Sequence, residues 1–143
     1  MSNRTYELFL FDIYIAIIKI NIVASKFDNS EELLNDFVSW DSVIREFEII
    51  GEASNILLTE GIIDKKYRIV VDFRNKIIHH YFGIDASGVW NIITDDLHVY
   101  KEHIKKKIKE IDKTLFLILI ETVIKDNQKY SIVIEKIQQL KDM

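Results

Sequence analysis

An antiparallel all-α bundle is predicted by three observations: no proline and only four glycines in 143 residues, an abundance of Ile, Leu, Lys and Glu, and apolar residues recurring at three- and four-residue spacing. Isoleucine also suits strands, so the periodicity decides. From Tyr6 to Ala24 the positions Leu10, Ile13, Tyr14, Ile17 and Ile20 recur at helical intervals. This first helix is apolar nearly all round, which implies deep packing.

Lys26 to Ser30 is turn-like, and Ser30 before Glu31 and Glu32 places a capping hydroxyl and acidic side chains at a helix start. The second helix then begins at about Glu31. A break is expected near Ser39 to Asp41, after which Val43, Ile44, Phe47, Ile50, Ala53, Ile56 and Leu57 resume the helical spacing. Gly51 inside that pattern costs about 1 kcal/mol against alanine, and close approach of another helix is its expected compensation. Gly61 marks the stop. A polar connection at Asp64 to Tyr67 leads to a shorter helix, Ile69 to Tyr81, closed by Gly83. Asp85 caps a further helix through Val89, Trp90, Leu97, Tyr100, Ile104 and Ile108. Thr114 to Met143 reads as an amphipathic extension, interrupted near Asp126 and Asn127. With no repeat or linker, residues 1–113 are expected to form the bundle. Residues 114–143 are expected as a C-terminal helical extension packed on the same domain.

The formal charge of −4, from 19 Lys and Arg against 23 Asp and Glu, argues against broad charge-driven coating of nucleic acid. Zero cysteines remove disulfide frameworks, thiolate zinc sites and cysteine nucleophiles. The N-terminal apolar run carries Glu7, Asp12 and Lys19 and no small-residue cleavage site. It reads as neither signal peptide nor membrane span, and a cytoplasmic protein is expected. No H-E-x-x-H, P-loop or Gly-x-Gly fingerprint occurs, and neither metal nor cofactor is expected.

Catalytic residue types concentrate in Asp72-Phe73-Arg74-Asn75-Lys76-Ile77-Ile78-His79-His80-Tyr81. On a helix, Asn75 and His79 share one face, and Arg74 and Tyr81, two turns apart, share a neighbouring stripe. The negative end of the helix dipole near Gly83 favours imidazolium at His79 and poises it for proton transfer. Arginine matches phosphate geometry with paired hydrogen bonds. Together they can cleave RNA without metal, histidine moving a proton of the 2′-hydroxyl or the leaving oxygen, arginine stabilising the charge on the phosphorane. Asn75 would orient His79 or the phosphate. Spacing alone favours the plainer reading, an arginine reaching for solvent and a histidine at a helix end.

Wider stretches weigh on that choice. Val43 to Ala53 with its Ile50-Gly51-Glu52-Ala53, Phe73 to Asp85 with its R-N-x-x-x-H-x-Y, and then Val89-Trp90 and Asp96-Leu97 together resemble the HepT-like family of HEPN-domain toxins. The resemblance spans about Tyr6 to Asp112, in the family's order. It implies a HEPN-like helical bundle that dimerises through the motif helices and a metal-independent ribonuclease cleft at the homodimer interface. It also implies a minimal nucleotidyltransferase as antitoxin, in a type VII-like toxin-antitoxin system. Arg74 and His79 match the family's catalytic pair and Asn75 the polar residue after the arginine. Tyr81 matches the tyrosine that such an antitoxin modifies with AMP, adding negative charge and bulk in the RNA cleft. His80 stands where the family usually has a small or polar residue, and counts as a supporting candidate. Asp64 to Arg68 replaces the family's frequent proline-tryptophan element.

Glu52 is a candidate to join the site, with a buried structural pair to Arg45 or Arg74 as the alternative. Lys101, Lys105, Lys106, Lys107, Lys109 and Lys113 either flank an RNA channel or, more simply, form a solvated face balanced by Glu102 and Glu110. Trp40 and Trp90 are expected in packing, and the spacing of His98 and His103 does not suit a metal site. The apolar run Leu115 to Ile120 either covers the bundle, extends the dimer interface or receives the antitoxin. The rival reading of the whole chain is a non-catalytic helical dimer that scaffolds a nucleotidyltransferase.

Overall fold

The computed structural model describes residues 5–79 and 85–142, the side chains of 76–79 apart. Every described element is helical. In order they are α1 (Tyr6–Ala24), α2 (Ser30–Asn35), α3 (Phe37–Thr59), a 3-10 turn (Lys65–Tyr67), α4 (Arg68–His79) and α5 (Ala86–Asn91). A π turn (Ile92–Asp96), α6 (Leu97–Lys109), α7 (Lys113–Asp126), α8 (Ser131–Gln139) and a 3-10 turn (Leu140–Asp142) complete the bundle.

α1 is the axis of the core. Phe9, Leu10, Phe11 and Ile13 to Ile18 are all buried, because α3, α6 and α8 pack around it. Its many β-branched residues cost a few tenths of a kcal/mol each in helix propensity, against about 1.5–3 kcal/mol gained for each large apolar side chain buried. Packing therefore outweighs propensity.

Two boundaries differ from expectation. α2 is capped by Asn29, whose side chain accepts from the Glu32 N–H at 3.0 Å, while the Glu32 carboxylate accepts from the Asp28 N–H at 2.8 Å. Ser30 is thus the first helical residue and not the cap. The break between α2 and α3 lies at Asp36 and not at Ser39 to Asp41. Asp36 is extended, ends α2 and caps α3, its carboxylate accepting from the Ser39 N–H at 3.4 Å. Ser39 and Asp41 instead flank Trp40, which is partly buried against the core within an unbroken α3.

α3 stops as expected at Gly61. Its φ of 73° reverses the chain, the Ile62 N–H reaches back to the Leu57 carbonyl at 2.9 Å, and the Gly61 N–H reaches the Leu58 carbonyl at 3.0 Å. Asp85 caps α5 through the Ser87 N–H at 3.0 Å. The helix expected from Asp85 to Ile108 contains the π turn, where the Thr94 hydroxyl donates to the carbonyls of Trp90 and Asn91. The interruption near Asp126 and Asn127 is present. Asn127 ends α7, buried, its amide donating to the Val123 carbonyl at 2.8 Å. α7 and α8 bury Leu119, Ile120, Val123, Val133 and Ile137, and Phe116 stacks on Phe11 of α1 at 6.2 Å. Among the described residues no helix is long and apolar enough to cross a membrane.

Candidate active site

The motif residues from Asp72 to His79 lie on α4, which packs along α3. Two contacts set that packing. Phe73 meets Phe47 edge to face, with ring centroids 5.0 Å apart, and one turn further along α3 the next residue of α4, Arg74, lies over Gly51. A Cβ on Gly51 would collide with Cβ and Cγ of Arg74, so only glycine admits the arginine stem here. The expected reason for a glycine within this helix is thereby met, and the side chain that fills the space is the first residue of the motif.

The stem leads to a guanidinium held between two oxygens. Nη2 of Arg74 lies 3.4 Å from Oε1 of Glu52, and Nη1 donates to Oδ1 of Asn75 at 3.2 Å. Nε is buried and has no partner among the described residues. The side chains of Arg74 and Glu52 are 29% and 53% exposed, which makes this an open ion pair and not the buried one considered from sequence. Of the two arginines weighed as partners for Glu52, the structure selects Arg74. Such an exposed pair contributes about 0–1 kcal/mol to stability, so its interest lies in where it holds the charge.

Asn75 engages Arg74, whereas the sequence suggested His79 or a phosphate as its partner. His79 is the last described residue of α4, one turn beyond Asn75, and its side chain is not among those described. His80, Tyr81 and Gly83 lie outside the described residues.

The remaining candidates take structural places. Trp40 and Trp90 are partly buried against the core. Lys107 pairs with Glu110 at 3.5 Å, and Lys101 lies over the Tyr14 ring at 5.7 Å, so part of the lysine series is tied to local structure. No group of His, Asp and Glu that could hold a metal occurs among the described residues.

One cluster escaped the sequence reading. The Ser54 and Tyr100 hydroxyls share a buried hydrogen bond of 2.6 Å, Tyr100 packs on Tyr67, and His103 stacks on Tyr67 with centroids 4.4 Å apart. Nε2 of His103 is buried with no partner among the described residues. Burial first, then Lys107, Lys66 and Lys106, push the imidazole below its ordinary pKa, with Asp64 opposing. These residues come from α3, the 3-10 turn and α6. Sequence periodicity marks Tyr100 as core but cannot show which side chains meet.

The family described as Ribonuclease HepT-like matches residues 13–111. Over 108 residues the chain is 32% identical to "Putative RNase MJ1380" of Methanocaldococcus jannaschii, covering 73% of this chain and 98% of that protein. It is 31% identical over 118 residues to "Putative RNase MJ0125" of the same organism, covering 79% and 99%. It is 33% identical over 79 residues to "Probable ribonuclease HepT" of Thermococcus cleftensis, covering 53% and 72%. No solved structure matches the chain significantly. The matched span runs from within α1 to just past α6 and contains both the Gly51 contact and the Arg74 motif, and the chain belongs to the HepT-like ribonuclease family.

Proposed function

We propose that this chain is a homodimeric, metal-independent endoribonuclease, the toxin of a pair whose antitoxin is a minimal nucleotidyltransferase. The observation that carries the reading is Arg74, set on the motif helix with its side chain partly open to solvent, in a chain of the HepT-like family. Arg74 binds the scissile phosphate and stabilises the charge on the phosphorane. His79, at the end of α4, moves the proton: the 2′-oxygen loses it and attacks phosphorus, the bond to the 5′-oxygen breaks, and the leaving oxygen takes a proton. The products are a 2′,3′-cyclic phosphate and a 5′-hydroxyl. A two-fold dimer brings two arginine-histidine pairs to one cleft, with His80 in support.

Silencing follows at Tyr81. Its hydroxyl attacks the α-phosphate of ATP on the antitoxin, pyrophosphate leaves, and the tyrosyl-AMP puts negative charge where the RNA phosphate would bind. In this reading residues 1–113 are the catalytic body, 114–143 extend it, and the protein acts in the cytoplasm.

The test is induction of this chain without its partner, beside Arg74→Ala and His79→Ala matched for soluble dimer, with RNA ends mapped. Growth arrest with new cyclic-phosphate ends, abolished by both substitutions, is the expected result. Healthy growth and intact RNA from folded, unmodified dimer would instead favour the scaffold reading.

A further inference from the structure

Resting on that ribonuclease reading, we propose that Glu52 is a positioning residue, which with Gly51 and Asn75 forms a seat that fixes the plane of the Arg74 guanidinium for the RNA phosphate. Cβ and Cγ of Arg74 occupy the space that Gly51 leaves empty, so α3 pins the arginine close to its backbone. Beyond Cγ the remaining torsions set where the fork points. Two acceptors limit the swing, Oε1 of Glu52 at Nη2 and Oδ1 of Asn75 at Nη1. Nε is buried, so that edge faces protein. Each Nη carries two hydrogens, and engaging one on each leaves one on each for phosphate oxygens, the paired geometry in which arginine binds phosphate. Glu52 follows Gly51 directly, so one turn of α3 supplies both the opening for the stem and the carboxylate that aims the fork.

A carboxylate beside a phosphate site has a cost that makes the role measurable. Glu52 is half exposed and anionic, and it repels incoming RNA. If it were there only to hold α3 to α4, its removal would not tighten RNA binding while slowing cleavage. A positioning carboxylate does both.

The experiment compares steady-state cleavage of a short RNA by the wild-type dimer, Glu52→Ala and Glu52→Gln. For Glu52→Ala we expect kcat to fall about tenfold, as for a loosened transition-state donor, while KM falls about twofold. Glu52→Gln keeps an acceptor without the charge, so KM falls as before and kcat returns to within about threefold of wild type. An unchanged kcat in Glu52→Ala, or equal losses in both variants, overturns the proposal.

If wild-type protein cuts no RNA, the ribonuclease reading fails, and the seat is then tested by the Arg74 Nε–Hε signal in a 15N-labelled sample, assigned by its loss in Arg74→Lys. A sharp signal in wild type and Glu52→Gln that broadens in Glu52→Ala supports the seat. The same signal in all three overturns it.

Discussion

The hydroxyls of Ser54 and Tyr100 lie 2.6 Å apart, sealed within the core, and tie α3 to α6. Ser54→Ala leaves a buried phenol without its partner and should cost about 1–3 kcal/mol; Tyr100→Phe should cost a similar amount, and the double variant clearly less than their sum. Denaturant midpoints of the four proteins check this. Burial also pushes the Tyr100 phenol well above its ordinary pKa, with the Ser54 bond opposing and Tyr67 adding. The folded state keeps that proton after the unfolded one has lost it, so stability contributed here declines as pH rises beyond about 10.

His103 should make the fold sensitive to mild acid. Its folded pKa lies below the unfolded value of about 6.5, so between the two the unfolded chain binds more protons and stability falls as pH drops. Glu46 works the other way, because burial raises its carboxyl above the ordinary range despite Lys19 and Arg45. Comparing wild type with His103→Phe isolates the histidine. Between pH 7.5 and 5 the denaturant midpoint of the wild type should fall more than that of the variant, and parallel curves would refute this.

Gly51 and Gly61 should respond oppositely to the same replacements. At Gly61 the space is open and only the positive φ resists, so Gly61→Ala costs about 1 kcal/mol and Gly61→Asn less. At Gly51 the obstacle is the Arg74 stem, so Gly51→Ala costs about 1–3 kcal/mol and Gly51→Asn at least as much. Thermal unfolding of the four variants gives the ranking.

Arg74→Lys should not preserve cleavage. Lysine keeps the positive charge but lacks the planar fork that meets Glu52 and Asn75 together, and the loss of a paired transition-state donor corresponds to a fall of about 10²–10³ in kcat. The fold should survive with an unchanged circular dichroism spectrum, because the aliphatic stem still lies over Gly51. A lysine variant that cuts RNA within threefold of wild type would remove the fork from the mechanism.

What the sequence disclosed depended on the range of the interaction. The span of α1, the Gly61 stop and the Asp85 cap depend on neighbours a few positions away, and all were legible. Asp36 was missed because Ser39 and Asp41, a few positions on, offer the same break-forming residue types although they lie inside α3. The π turn leaves no mark on apolar spacing. At the candidate site, Gly51 announced that something approaches closely and Glu52 narrowed its partner to two arginines. Only packing of α4 on α3 shows that one side chain, Arg74, answers both. The stack of His103 on Tyr67 joins α6 to the 3-10 turn, and no local pattern encodes it.

The wrapping of α1 bears on the order of events at the ribosome. This helix is translated before every element that covers it, and one of those, α8, emerges only after all the other α-helices. Until then part of its isoleucine-rich surface is left uncovered, which makes the nascent chain a natural client for holdase chaperones. A chain built this way completes its packing late, after synthesis has carried it well past Arg74.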